Sequence, residues 1–106
     1  MTRYLCHATY TAEGMKGLLA EGGSRRKEAV EKMVASVGGK LEAYYYAMGD
    51  TDLFCLMSLP DNVAAAAISL IVGSAGGATA KFTVLLTPEE IDAAAKKNPN
   101  YRPPGK

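Results

Sequence analysis

Residues 40–59 read KLEAYYYAMGDTDLFCLMSL. Lys40 to Met48 and Leu53 to Leu59 are rich in aromatic and β-forming side chains, and the four residues between them, Gly49-Asp50-Thr51-Asp52, are turn formers. That pattern predicts a β-hairpin. Working outward, Arg3 to Tyr10 alternates polar and apolar residues as a strand does. Thr11 to Glu21 follows with a helical pattern that carries Met15, Leu18 and Leu19 on one side, interrupted by Gly14 and Gly17 and ended by Gly22-Gly23. Ser24 then reads as an N-cap. Val30, Met33, Val34 and Val37 recur at the three- and four-residue intervals of one helix face, and Gly38-Gly39 closes that helix. Beyond the hairpin, Asp61 caps another helix whose apolar side is read as Ala67, Ile68 and Ile71, with Gly76-Gly77 as its stop. Ala78 to Leu86 alternates again. Thr87-Pro88-Glu89-Glu90 has the cap, proline and glutamate that open a short helix to about Lys96, and the prolines beyond Asn98 keep the tail extended.

The order is β-α-β-β-α-β, an α+β chain of the ferredoxin-like arrangement, with a four-stranded antiparallel sheet and helices on one face. Residues 1–87 form that domain, 88–97 a C-terminal helix and 98–106 an extended proline-rich tail. Period-2 counting places Tyr4, Cys6 and Ala8 with Ala80, Phe82 and Val84 under the helices. It leaves Leu5, His7, Thr9, Tyr44, Tyr46, Lys81, Thr83 and Leu85 on the open face. A face of such mixed composition meets a partner, and a homodimer or higher homo-oligomer pairing the sheets is the economical solution.

Composition narrows the partners further. The chain has 106 residues, 48% hydrophobic, with a net charge of +1, so it has no whole-molecule field for nucleic acid or an anionic membrane. Leu53-Phe54-Cys55-Leu56-Met57 lacks the Lys/Arg-Gly-aromatic pattern of RNA-binding sheets. Asn62 to Ala80 is uncharged throughout, but its alanines and glycines suit a helix buried on a sheet better than a membrane span. The opening residues lack the unbroken apolar run of a secretory signal. Two cysteines, with no metal-ligand spacing, suggest a cytoplasmic chain with reduced thiols.

His7 is the only histidine and so the first candidate for proton transfer or haem ligation, against the plainer reading of a packing residue at an interface. Tyr44 and Tyr46, with Lys81 and Thr9, are candidate contacts for an aromatic or quinone-like molecule, tyrosine being equally at home in a dimer interface. Arg25 and Arg26 follow Gly22-Gly23-Ser24 at a helix start, where free amides and cations suit an anion and solvent screening is the alternative. Asp50 and Asp52 are read as turn residues, a cation site or an acid and base pair being the sharper possibility. Cys6 and Cys55 are read as packing residues facing the helices, a redox pair requiring Cα atoms within about 7 Å. No metal site is expected, and no cofactor, haem being the one that His7 leaves open.

Tyr45-Tyr46-Ala47-Met48-Gly49-Asp50-Thr51-Asp52 resembles the signature of the GYD domain family, small bacterial proteins with a Gly-x-Tyr-Asp motif at this turn. The opening strand, Gly38-Gly39 and the LIVGSAGG run at residues 70–77 are similar to the family's pattern as well. Gly49 and Asp52 match the motif, while Thr51 stands where the family has its tyrosine. The resemblance implies a ferredoxin-like fold related to the dimeric α+β barrels, among which are cofactor-free oxygenases and haem-degrading enzymes, and a family without an established activity. The expected function is binding of a small organic molecule by a homo-oligomer. The alternatives are a cofactor-free monooxygenase- or isomerase-like enzyme, with His7 as base and Tyr44 or Tyr46 orienting, and a ligand-free assembly protein.

Overall fold

A computed structural model describes residues 1–106. Four strands, β1 (Thr2–Tyr10), β2 (Lys40–Tyr46), β3 (Leu53–Leu59) and β4 (Ala78–Leu85), form one antiparallel sheet in the order β2-β3-β1-β4. Helices α1 (Ala12–Glu21) and α2 (Gly23–Ser36) connect β1 to β2, α3 (Asn62–Ala75) connects β3 to β4, and α4 (Pro88–Ala95) follows the sheet. This is the ferredoxin-like arrangement. No helix is long and apolar enough to cross a membrane.

The ends of these elements follow local chemistry. Thr11, Asp61 and Thr87 each accept a backbone N–H at a helix start, and Thr87 with Glu90 makes a reciprocal capping box. Ser24 does not cap α2. Gly22, at φ 91°, joins α1 to α2 and takes the cap position itself, which leaves Ser24 within the first turn. A side-chain cap needs extended backbone at its own residue, and the glycine joint moves that break upstream.

Between sheet and helices lies one core. Tyr4 and Cys6 of β1, Cys55, Met57 and Leu59 of β3, Val34 of α2 and Ile68 of α3 are its most enclosed side chains. Tyr4 gives its hydroxyl proton to Asn62 at the start of α3 and meets Phe82 edge to face, so even its polar end is satisfied. On α3 the buried residues are Ala64, Ala65 and Ile68, whereas Ala67 and Ile71 turn outward. The expected apolar side is thus displaced around the axis. A helix that is apolar on most sides carries little directional signal in its sequence.

A third correction concerns β2. Leu41 pairs with Met57, but the next partners are Ala43 with Leu56 and Tyr44 with Cys55, so a β-bulge lies between Leu41 and Ala43. One extra residue flips the alternation from there on. Tyr44 and Tyr46 consequently share the helix side with Cys55 and Leu53, and Tyr45 takes the open face opposite Phe54. His7, Thr9 and Lys81 remain on the open face as expected. Helix α4 buries none of its residues, and with the tail it stretches the molecule to 57 Å and a radius of gyration of 17.0 Å, against about 13 Å for a compact chain of this size.

Candidate functional site

A groove of about 410 Å³ opens between the sheet and its helices. Gly14, Gly17, Leu18 and Glu21 of α1 form one wall, Ile71 and Val72 of α3 the other, and Arg26 and Met33 of α2 close one side. It continues into an inner chamber of about 100 Å³ that shares Tyr10, Arg26, Met33, Val72 and Ala78 with it. Arg26 is the one residue of the chamber that is not hydrophobic, and Cys6 and Cys55 form part of its floor.

Three contacts hold this groove in shape. Thr11 N–H donates to Gly77 O at 3.0 Å and its hydroxyl to Gly76 O at 2.8 Å, which pins the start of α1 to the turn before β4. Gly14 lies against that turn so closely that a Cβ there would sit 1.8 Å from Gly77 O. The third tie is Asp52. Its carboxylate accepts the Tyr10 N–H at 2.8 Å, and its own N–H donates to Ala8 O at 3.0 Å, so the hairpin turn clasps the end of β1 where Tyr10 enters the groove. The motif aspartate therefore acts on a strand 42 positions away, and not on its own turn alone.

The polar side chains of the groove are Tyr10, Glu21 and Arg26, with Tyr44 and Tyr46 nearby on the same side of the sheet. Arg26 Nη1 stands 3.6 Å from Glu21 Oε2, both side chains being partly exposed. Tyr46 donates to Gly23 O at 2.9 Å, so in its 3.2 Å contact with Tyr44 the latter is the donor. Burial raises the Tyr10 hydroxyl above its ordinary pKa, partly offset by Tyr44 and Arg26 beside it. Burial likewise raises Tyr44, reinforced by the hydrogen bond to Tyr46. Both phenols therefore stay protonated in the folded chain at a pH where an unfolded one, near 10, ionises. The stability they contribute is complete below that pH and is lost as pH rises toward the folded values. Alkaline titration of unfolding should show a decline beginning near pH ~10, and Tyr44→Phe should make that decline shallower.

The residues singled out in the sequence divide between two places. Tyr44, Tyr46 and Arg26 belong to the helix side. His7, Thr9 and Lys81 meet on the open face in a recess of about 330 Å³, together with Asp50, Thr51 and Thr79. His7 faces Lys81 in register, and its ring stacks on Phe54 at 6.2 Å. The sheet stands between His7 and the tyrosines, so they do not form one catalytic pair. Nor does the recess have apolar walls of the kind that hold a porphyrin. Arg25 is exposed and lines neither cavity. Gly49 has open space where a Cβ would be and no positive φ, so nothing in the structure explains a glycine there. No group of three or more His, Cys, Asp or Glu side chains is placed to hold a metal ion.

Sequence reasoning missed Tyr10, Gly14, Gly17 and Glu21 as site residues. The two glycines, three positions apart on one helix face, were the available signal, because they bare that face for close approach. Tyr10 had none. Among known proteins, the family model of the GYD domain matches residues 4–95. No curated protein and no solved structure matches the chain.

Proposed function

We propose that this chain, which belongs to the GYD domain family, binds a small organic molecule with an apolar body and an anionic oxygen in the groove between sheet and helices. One observation carries this reading. An open groove of about 410 Å³ has apolar walls and a single guanidinium, Arg26, where it narrows into a chamber, which is the usual make-up of a ligand site. The oxygen would share Arg26 with Glu21, and Tyr10 would border the ligand body. A ligand-free assembly role leaves such a groove without purpose. An enzyme with His7 as base and Tyr44 or Tyr46 as orienting group has no geometric support, since the sheet separates them.

The open face supports a homo-oligomer as part of the same proposal, and the two cysteines without disulfide or metal spacing support a cytoplasmic one. Tyr45 and Phe54 are 71% and 40% exposed there, and a second copy would cover them. Subunit number by native mass spectrometry checks it.

Gly17 gives a direct test of the groove. It lines the cavity, and a Cβ built on it meets nothing within 4 Å. Gly17→Leu should fill the groove while gaining about 1 kcal/mol of helix propensity. Isothermal titration with a panel of monocyclic aromatic and short aliphatic carboxylates should show binding to the parent protein and at least tenfold weaker binding to the variant, at equal or higher thermal stability. Undiminished binding by Gly17→Leu would place the ligand elsewhere.

A further inference from the structure

Two thiols stand on the floor of the inner chamber, and ligand binding in the groove does not use them. Cys6 of β1 and Cys55 of β3 are direct partners in the antiparallel register. That relation sets Cα atoms about 4.5–5.5 Å apart, inside the ~4.4–6.8 Å span that a disulfide bridges. Both side chains face the chamber, both are free, and neither is more than 4% exposed. Arg26 lines the same small space and is its only charged residue, and the chamber adjoins the groove at the five residues that line both.

We propose that Cys6 and Cys55 are a redox-active dithiol, oxidised to a cross-strand disulfide by hydrogen peroxide or a small alkyl hydroperoxide that enters through the groove. The chamber sets the class of oxidant. A water molecule occupies about 30 Å³ of liquid, so about 100 Å³ admits a peroxide group and few carbon atoms. The closeness of the two thiols holds Cys6 below the usual thiol range against the opposing effect of burial and, together with burial, pushes Cys55 up. Both sulfurs face the chamber, and the attack is assigned to Cys6, with Cys55 as the resolving thiol.

Its thiolate attacks the terminal peroxide oxygen and the O–O bond breaks. The alkoxide or hydroxide that leaves takes the proton released by Cys6, and a sulfenic acid remains on Cys6. Cys55 sulfur then attacks Cys6 sulfur. The S–O bond breaks, the S–S bond forms, and hydroxide leaves with the Cys55 proton as water. The two thiols are oxidised by two electrons, and the peroxide is reduced to an alcohol, or water, plus water.

The inference shares the cavity with the proposed ligand and does not depend on that ligand. The test is thiol alkylation with intact-mass analysis of the full folded chain exposed to hydrogen peroxide, with free glutathione in parallel. The expected result is joint loss of both alkylatable thiols with loss of two hydrogens, at least tenfold faster than glutathione reacts. Cys55→Ala should stop at a Cys6 sulfenic acid, read as a gain of one oxygen in the intact mass, and Cys6→Ala should react at least tenfold more slowly than the parent chain. Oxidation no faster than glutathione, or loss of thiols without a disulfide, overturns the inference, and the parent chain alone reports both. Carboxylate titration of the same sample separates the two claims. Binding with inert thiols rejects only the dithiol, and disulfide formation without binding rejects only the carboxylate site.

Discussion

Gly14→Ala is expected to lower the free energy of unfolding by about 2–3 kcal/mol, the upper part of the range for overpacked sites. In an ordinary helix the same change adds stability, because alanine exceeds glycine in helix propensity by about 1 kcal/mol. Here the new methyl carbon would lie 1.8 Å from Gly77 O and 2.8 Å from Gly77 C. Those are backbone atoms, which cannot swing aside as the end of a side chain can. Helix α1 must then lift from the turn before β4, loosening the Thr11 contacts to Gly76 and Gly77. Gly17→Ala is the matched control, since its methyl enters open space, and it should be neutral or mildly stabilising. Urea unfolding of the two variants measures the difference. Equal behaviour at positions 14 and 17 would mean that α1 is not seated as described.

Asp52→Ala is expected to cost about 1.5–3 kcal/mol, the range for a hydrogen bond to a charged group, and to weaken carboxylate binding in the groove. The carboxylate accepts the Tyr10 N–H at 2.8 Å where β1 ends. Without it that donor loses its partner, and the strand end carrying Tyr10 keeps the Asp52 N–H to Ala8 O bond, its pairing with β4 and the Thr11 contacts to Gly76 and Gly77. Asp52→Asn keeps an acceptor oxygen and should recover most of the loss. Asp50→Ala, two positions away on an exposed turn residue, should change stability by no more than ~0.5 kcal/mol. Urea unfolding and calorimetric titration of these three variants check the assignment, and equal effects at 50 and 52 would remove Asp52 from its clasping role.

Much of the fold was legible because its signals are local. Asp61, the Thr87 to Glu90 capping box and the left-handed Gly76 each mark a helix end within a few residues of sequence. The hairpin and the period-2 strands β1 and β4 are equally short-range. The candidate site was not legible in the same way. A bulge at Leu41 to Ala43 moved Tyr44 and Tyr46 through the sheet, and KLEAYYY contains no glycine or proline that marks where the extra residue sits. Alanine-rich α3 left its buried side unmarked. The bond between Asp52 and Tyr10 joins residues 42 apart, and only the paired sheet brings them together. His7 stayed on its expected face, but the company expected for it did not.

The claim on which the function rests is that the ligand enters on the helix side of the sheet. Methyl NMR during titration with an aromatic carboxylate such as benzoate tests it most directly. The groove offers Leu18, Met33 and Val72 as reporters, and the open face offers Leu5, Leu56 and Leu85. The expected result is that the first set shifts in proportion to occupancy, the second stays in place, and Arg26→Ala abolishes the response. Shifts confined to Leu5, Leu56 and Leu85, with the groove methyls unmoved, would contradict it.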